Sequence, residues 1–167
     1  TASTTSQIAL GDALATALVA LRGFTPADFA RYHPGGALGK QLYLRVKDLC
    51  AMHGKPIVPA TATLPEILLE MSAKRLGATA VTNTNGQITG IITDGDLRRM
   101  LERESTSGWG TLTAHEIQTP NPQTITPDAM AIDALEILRA RSISQLLVLD
   151  DAGNYEGMIH LHDLVRE

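Results

Sequence analysis

Cysteine occurs once in the 167 residues, at Cys50, so neither a disulfide framework nor a cysteine-based metal cluster is open to this chain. That usage fits a reducing compartment, and cytoplasm is the expected location. Runs of one charge are missing too: 14 basic and 18 acidic residues are interspersed, for a formal net charge of -4. Such a surface cannot track a phosphate backbone, so nucleic acid is not an expected partner. The signs of a leader or membrane span are also lacking. The Ala- and Leu-rich stretch from Ile8 to Leu21 has no basic residues before it, is interrupted by Gly11-Asp12, and is shorter than a bilayer requires. No Met opens the chain at Thr1-Ala2-Ser3, which leads us to expect a piece of a longer protein. What the chain does have is apolar substance. At 44% hydrophobic it can bury one real core, or two small ones sharing an interface, and disorder is not expected.

Leu10, Leu14, Leu18 and Leu21 recur at helical spacing among small Ala residues, which predicts a helix over 6–22 ended by Gly23. A second short helix is expected after Thr25, where a hydroxyl cap is followed by Pro26 and Asp28. The segment His33-Pro34-Gly35-Gly36-Ala37-Leu38-Gly39 cannot be regular structure and reads as a linker or a tight functional loop.

The rest of the chain repeats itself. A shift of 67 positions (163 − 96 = 67) pairs Leu68 with Leu135, Val81 with Val148, Gly86 with Gly153, Gly90 with Gly157 and Asp96 with Asp163, with no gap from Ile57 onward. Each copy reads as an extended piece (Ile57-Val58; Thr124-Ile125), then an amphipathic helix carrying Leu64, Ile67, Leu68 and Met71, or Met130, Ile132, Leu135 and Leu138. A hairpin is predicted next, Ala78 to Val81 with Ile88 to Ile92, and Leu146 to Leu149 with Tyr155 to Ile159, turning at Asn85-Gly86 and Ala152-Gly153. A closing helix then begins just after Asp96 and Asp163, whose carboxylates are placed to cap it. Residues 105–110 read as linker. Two copies argue for a closed pair packed sheet on sheet, with two related clefts at the seam.

These residues resemble a known module. Gly90 to Leu97 (Gly-Ile-Ile-Thr-Asp-Gly-Asp-Leu), repeated as Gly157 to Leu164 (Gly-Met-Ile-His-Leu-His-Asp-Leu), is similar to the tandem CBS domain pair, over roughly Val46 to Glu167. The N-terminal third resembles the end of a sugar isomerase (SIS) domain, through Thr1-Ala2-Ser3-Thr4-Thr5, Leu10-Gly11-Asp12-Ala13-Leu14-Ala15 and His33 to Lys40. The order resembles that of the D-arabinose 5-phosphate isomerases. It implies an α/β (α+β) fold of two βαββα modules preceded by the helical end of an SIS domain: 1–45 as that end and a linker, 46–105 as the first CBS domain, and 106–167 as the second.

The resemblance also implies site residues, each with a plainer reading beside it. Asp96 and Asp163 cap helices, typically for about 1 kcal/mol; in CBS pairs the matching aspartate takes ribose hydroxyls, since a carboxylate accepts from two neighbouring O–H groups. Thr93 is similar to the position that contacts phosphate or sugar. In the second copy that position is His160, so the clefts are not expected to be equivalent. His160 and His162 resemble the His-x-His-Asp form of the arabinose 5-phosphate isomerases; as metal ligands on a strand they would lack a third donor, and no metal is expected. Thr61 and Glu116 resemble positions facing the clefts, or are a turn residue and a solvated charge. Arg98 and Arg99 can neutralise a phosphate or simply form a charged face. His33 matches a histidine counted as catalytic in the complete isomerases, where aldose–ketose interconversion needs groups near neutral pKa to open the sugar and move a proton between adjacent carbons. By the same resemblance the phosphate-binding loop and acidic partners lie upstream, so no turnover is expected from this chain.

The implied parent interconverts D-ribulose 5-phosphate and D-arabinose 5-phosphate without a redox cofactor. Its CBS pair would sense a nucleotide-like or sugar-nucleotide molecule, with CMP-Kdo the candidate, and the protein would be a homo-oligomer, dimer or tetramer, through CBS and SIS contacts. No membrane partner is expected. Two other classes stay open: a structural module holding subunits together, and an adenine-nucleotide-sensing CBS pair from a different host.

Overall fold

Ala-rich sequence without proline favours helix, and in the computed structural model α1 runs from Ala2 to Leu21. The structure describes residues 2–25, 28, 44–103 and 109–165. Helix α1 starts four residues earlier than its leucine spacing suggested, where Ser6 Oγ bonds back to the Ala2 carbonyl at 2.9 Å. At 20 residues it is, among the described residues, a helix long and apolar enough by length and composition to cross a membrane, so the argument from shortness does not hold for it. Thr25 and Asp28 exchange the hydrogen bonds of a helix start, Thr25 N and Oγ1 donating to Asp28 Oδ2 at 2.9 and 2.7 Å. The His33-Pro34-Gly35-Gly36 segment lies outside the described residues. Residues 1–43 and 44–167 form separate units.

From Leu44 the elements are α2 (Val46–Cys50), β1 (Ile57–Pro59), α3 (Leu64–Lys74), β2 (Ala78–Thr82), β3 (Ile88–Thr93) and α4 (Asp94–Arg103). Then follow α5 (Ala114–Ile117), β4 (Thr119–Pro120), β5 (Thr124–Ile125), α6 (Ala131–Arg141), β6 (Gln145–Leu149), β7 (Tyr155–His160) and α7 (Leu161–Val165). The repeat persists in register. Strands β1 and β2 run parallel with Ile57 beside Ala80, and β5 and β6 do the same with Thr124 beside Leu147. Both hairpins are antiparallel, and both slip register at the same place, Val81/Thr82 and Val148/Leu149. The turns are built alike as well: Asn83 Oδ1 accepts from the amides of Asn85 and Gln87, and Asp150 Oδ1 from those of Ala152 and Asn154.

Alternation along the strands divides the apolar residues between two jobs. Val81 and Ile92 face α3 and α4, joining Val58, Ile67 and Met71 in the first core, whereas Val148 and Ile159 join Leu135, Leu138 and Leu164 in the second. The opposite strand faces meet each other: Ala78, Ala80 and Ile91 pack on Leu147 and Met158, the sheet-on-sheet seam the repeat implied. Leu147 and Met158 are fully buried there, each worth about 1.5–3 kcal/mol. On α3 the buried stripe is Leu64, Ile67 and Met71, while Leu68 is 44% exposed, so the amphipathic pattern overstated the inward face.

One feature of the packing crosses the order of the chain. Helix α2 precedes the first copy but buries Val46, Leu49 and Cys50 in the core of the second, and its entry is bridged to Met130. Helix α5 precedes the second copy but buries Ala114 and Ile117 in the core of the first, with β4 paired to β3 and Thr113 bridged to Thr63. Gly90 and Gly157 permit both approaches. A Cβ on Gly90 would overlap Gln118 and the Thr119 carbonyl, and one on Gly157 would stand 2.5 Å from Cys50 Sγ.

Candidate functional site

The crossed segments deliver polar groups to the start of each closing helix. Asp96 is 6% exposed. Its Oδ2 accepts from the Thr93 amide at 2.8 Å and the Thr93 hydroxyl at 2.6 Å, while its Oδ1 accepts from Thr119 Oγ1 at 2.7 Å and an Arg99 guanidinium nitrogen at 2.6 Å. Burial acts to raise this carboxyl, but the bonds from Thr93, Thr119 and Arg99 outweigh it and hold it below the usual range. The helices begin at Asp94 and Leu161 rather than after the two acids. Asp96 and Asp163 therefore stand in the third helical position and reach back to bind the amide before the helix, the acid half of a capping box with Thr93 as cap in the first copy.

The second copy solves the same problem with imidazoles. The His160 amide donates to Asp163 Oδ2 at 2.8 Å; lacking a hydroxyl, the residue offers ring Nδ1 instead, which accepts from the His162 amide at 3.1 Å. The two rings meet edge to face at 4.7 Å. His53, from the segment between α2 and β1, brings Nε2 to 2.9 Å from Asp163 Oδ1, a close approach not aligned as a hydrogen bond. Burial lowers the pKa of His160, neighbouring His162 and His53 add to the effect, and Asp163 opposes it. Among the described residues no three His, Cys, Asp or Glu side chains gather to hold a metal ion.

A cavity of about 640 Å³ opens between the copies, walled by Thr93, Asp96, Arg99 and Thr119 on one side and by Gln145 and His160 on the other. A smaller one of about 260 Å³ adjoins it, sharing Asp96, Arg99 and Thr119 and adding Glu116. Four of the residues singled out from sequence, Thr93, Asp96, Glu116 and His160, thus line two cavities that share walls. Asp163 lines neither cavity, and exposed Thr61 sits in the turn after β1, away from both. Glu116 has a local occupation as well: its carboxylate takes the Thr113 amide and hydroxyl at 2.8 and 2.7 Å, which lowers its pKa. His33 lies outside the described residues. Thr119 and His53 were not foreseen, because the repeat that exposes Asp96 and Asp163 places unlike residues at the crossed segments.

Two parallel-and-hairpin sheets packed face to face, each with a hairpin strand whose following helix carries an inward carboxylate, define a tandem pair of βαββα modules. The chain belongs to the CBS domain family, whose model matches residues 46–103 and 114–167. It is similar to a CBS domain protein from Pyrobaculum aerophilum complexed with AMP, at 23% identity and a TM-score of 0.65 over 74% of this chain and 92% of that one. That likeness is one of fold. More specifically, it is 44% identical over 169 residues to arabinose 5-phosphate isomerase KdsD of Salmonella typhi, and 42% over 167 residues to that of Escherichia coli K12. Each alignment covers 99% of this chain and 50% of the relative, so the chain spans about half the length of the curated relatives it matches.

Proposed function

We propose that this chain is the regulatory part of an aldose–ketose isomerase interconverting D-ribulose 5-phosphate and D-arabinose 5-phosphate, and that its CBS pair binds a nucleotide-type ligand, with CMP-Kdo the candidate. The observation that carries the binding role is the cavity between the copies, where a buried carboxylate, a hydroxyl, a guanidinium and an imidazole converge on space the size of a small molecule. The isomerase assignment is supported by similarity running over 99% of the chain, and so through residues 1–45, outside the matched CBS spans. Those residues are the end of the SIS domain in this reading, with His33 acting in the complete enzyme as the group of near-neutral pKa that helps open the sugar or carry its proton. The reaction moves a proton between adjacent carbons and calls for no redox cofactor.

Solved structures of the same fold carry AMP, ATP, or 5′-methylthioadenosine with S-adenosylmethionine. Those belong to their own proteins; here His160 replaces the hydroxyl that Thr93 provides in the first copy, which favours a ligand other than a plain adenine nucleotide. A cytoplasmic homo-oligomer, dimer or tetramer, completes the reading. Calorimetry of the chain against CMP-Kdo, CMP, AMP and ATP tests it. Heat from CMP-Kdo that is lost in Asp96→Asn supports the sensor, a preference for AMP or ATP moves the chain to adenine-nucleotide sensing, and silence from all four removes the sensing role.

A further inference from the structure

Asp96 has no acceptor position to spare. A carboxylate offers about four lone-pair sites, and all are taken: the amide and hydroxyl of Thr93 on one oxygen, Thr119 and Arg99 on the other. A ligand diol can bind this acid only by displacing a donor. Thr93 is fixed by β3, where it pairs with Ala78, and Thr119 by β4, where it pairs with Ile91. Arg99 alone among the four donors reaches Asp96 on a long side chain, 57% exposed, and it borders both cavities.

The geometry points to Arg99 as the residue that decides which ligands enter: its guanidinium holds Asp96 until a ligand hydroxyl replaces it, and then takes up the ligand's anionic group. This rests on the nucleotide reading above and deepens it. A neutral nucleoside must break a 2.6 Å charge-assisted bond and leaves the guanidinium with water. A nucleotide breaks the same bond but supplies a phosphate, a planar bidentate match for the cation it has freed. Arg99 therefore penalises nucleosides and favours nucleotides.

The experiment is calorimetry of the 167-residue chain with cytidine, CMP, adenosine and AMP, on the unaltered protein, Arg99→Gln and Arg99→Lys. The unaltered protein is expected to prefer a nucleotide over its nucleoside by about tenfold or more, the value of one hydrogen bond to a charged partner. Arg99→Gln abolishes that preference and binds the nucleoside more tightly than the unaltered protein does; Arg99→Lys, which keeps the charge, retains the preference. Nucleotide binding with an undiminished preference in Arg99→Gln, or a nucleoside weakened along with its nucleotide, overturns the role of Arg99 and leaves the nucleotide reading standing. No binding of any of the four overturns the role of Arg99, and the nucleotide reading falls with it only where CMP-Kdo and ATP are silent as well.

Discussion

Arg75 and Ser142 stand at the same place in the two copies (142 − 75 = 67), and each closes its helix in the left-handed conformation, with φ of 58° and 52°. Neither residue favours that region, where an L side chain costs about 1–2 kcal/mol. The chain accepts the strain twice because the helix must turn sharply into a buried strand three residues on, β2 at Ala78 and β6 at Gln145.

Replacing Ser142 by Gly should remove the strain, since glycine enters that region without a Cβ penalty. Part of the gain is returned through the freer unfolded chain. The expected net effect is a stabilisation of up to about 1 kcal/mol, read as a higher urea midpoint at unchanged slope. A lowered midpoint would show that the serine side chain contributes more than its backbone costs.

Leu147 tests the seam. It is fully buried beside Met158, its neighbour in the same sheet, and against Ala80 of the facing sheet, so Leu147→Ala leaves a void that neither rigid sheet can close. The expected loss is about 2–5 kcal/mol. Leu69, 72% exposed on α3, is the control, with a change within about 0.5 kcal/mol. Similar unfolding midpoints for the two variants would contradict a seam held by apolar packing.

Acid should weaken the fold in two stages. His160 has its pKa lowered from 6.5 by burial, then by His162, so the unfolded chain takes up its proton first. Its contribution is whole above 6.5 and declines as pH falls from there toward the folded value. Asp96, lowered from 3.8, contributes stability that is present above 3.8 and lost as pH falls through its folded value. The groups facing His160 are His53, His162 and Asp163. Unfolding midpoints at about pH 7.5 and about pH 5.5 should show the first decline, and His160→Thr, which restores the first copy's residue, should flatten it. A decline of equal size in His160→Thr would assign it to other groups.

Much of this was readable in advance because the copies share one offset. The positions 67 apart carry the hairpins, the cores and both closing-helix acids, and each reappears in register. The crossed helices were not readable. Val46 and Ala114 match at 68 rather than 67 (114 − 46 = 68), and nothing in a local pattern says which core a short helix will enter. Thr119 and His53 were hidden for that reason: they reach Asp96 and Asp163 only through the crossing. The placement of the two acids was off by a turn of logic rather than of helix, since an acid in the third position reaching back and an acid at the cap look alike in sequence.

Isomerase turnover is the remaining prediction. Opening a sugar phosphate and shuttling a proton between its first two carbons requires a phosphate cradle and an acid–base pair held around one substrate. The chain covers half of its isomerase relatives. The cavity in its CBS pair presents Asp96 already bound by four donors, a poor base because its pKa is lowered. His33 alone cannot supply the rest. Conversion of D-ribulose 5-phosphate by the 167-residue chain should therefore match buffer, and His33→Ala should make no difference. Turnover above background that disappears in His33→Ala would place a working active site within these residues and overturn their assignment to regulation alone.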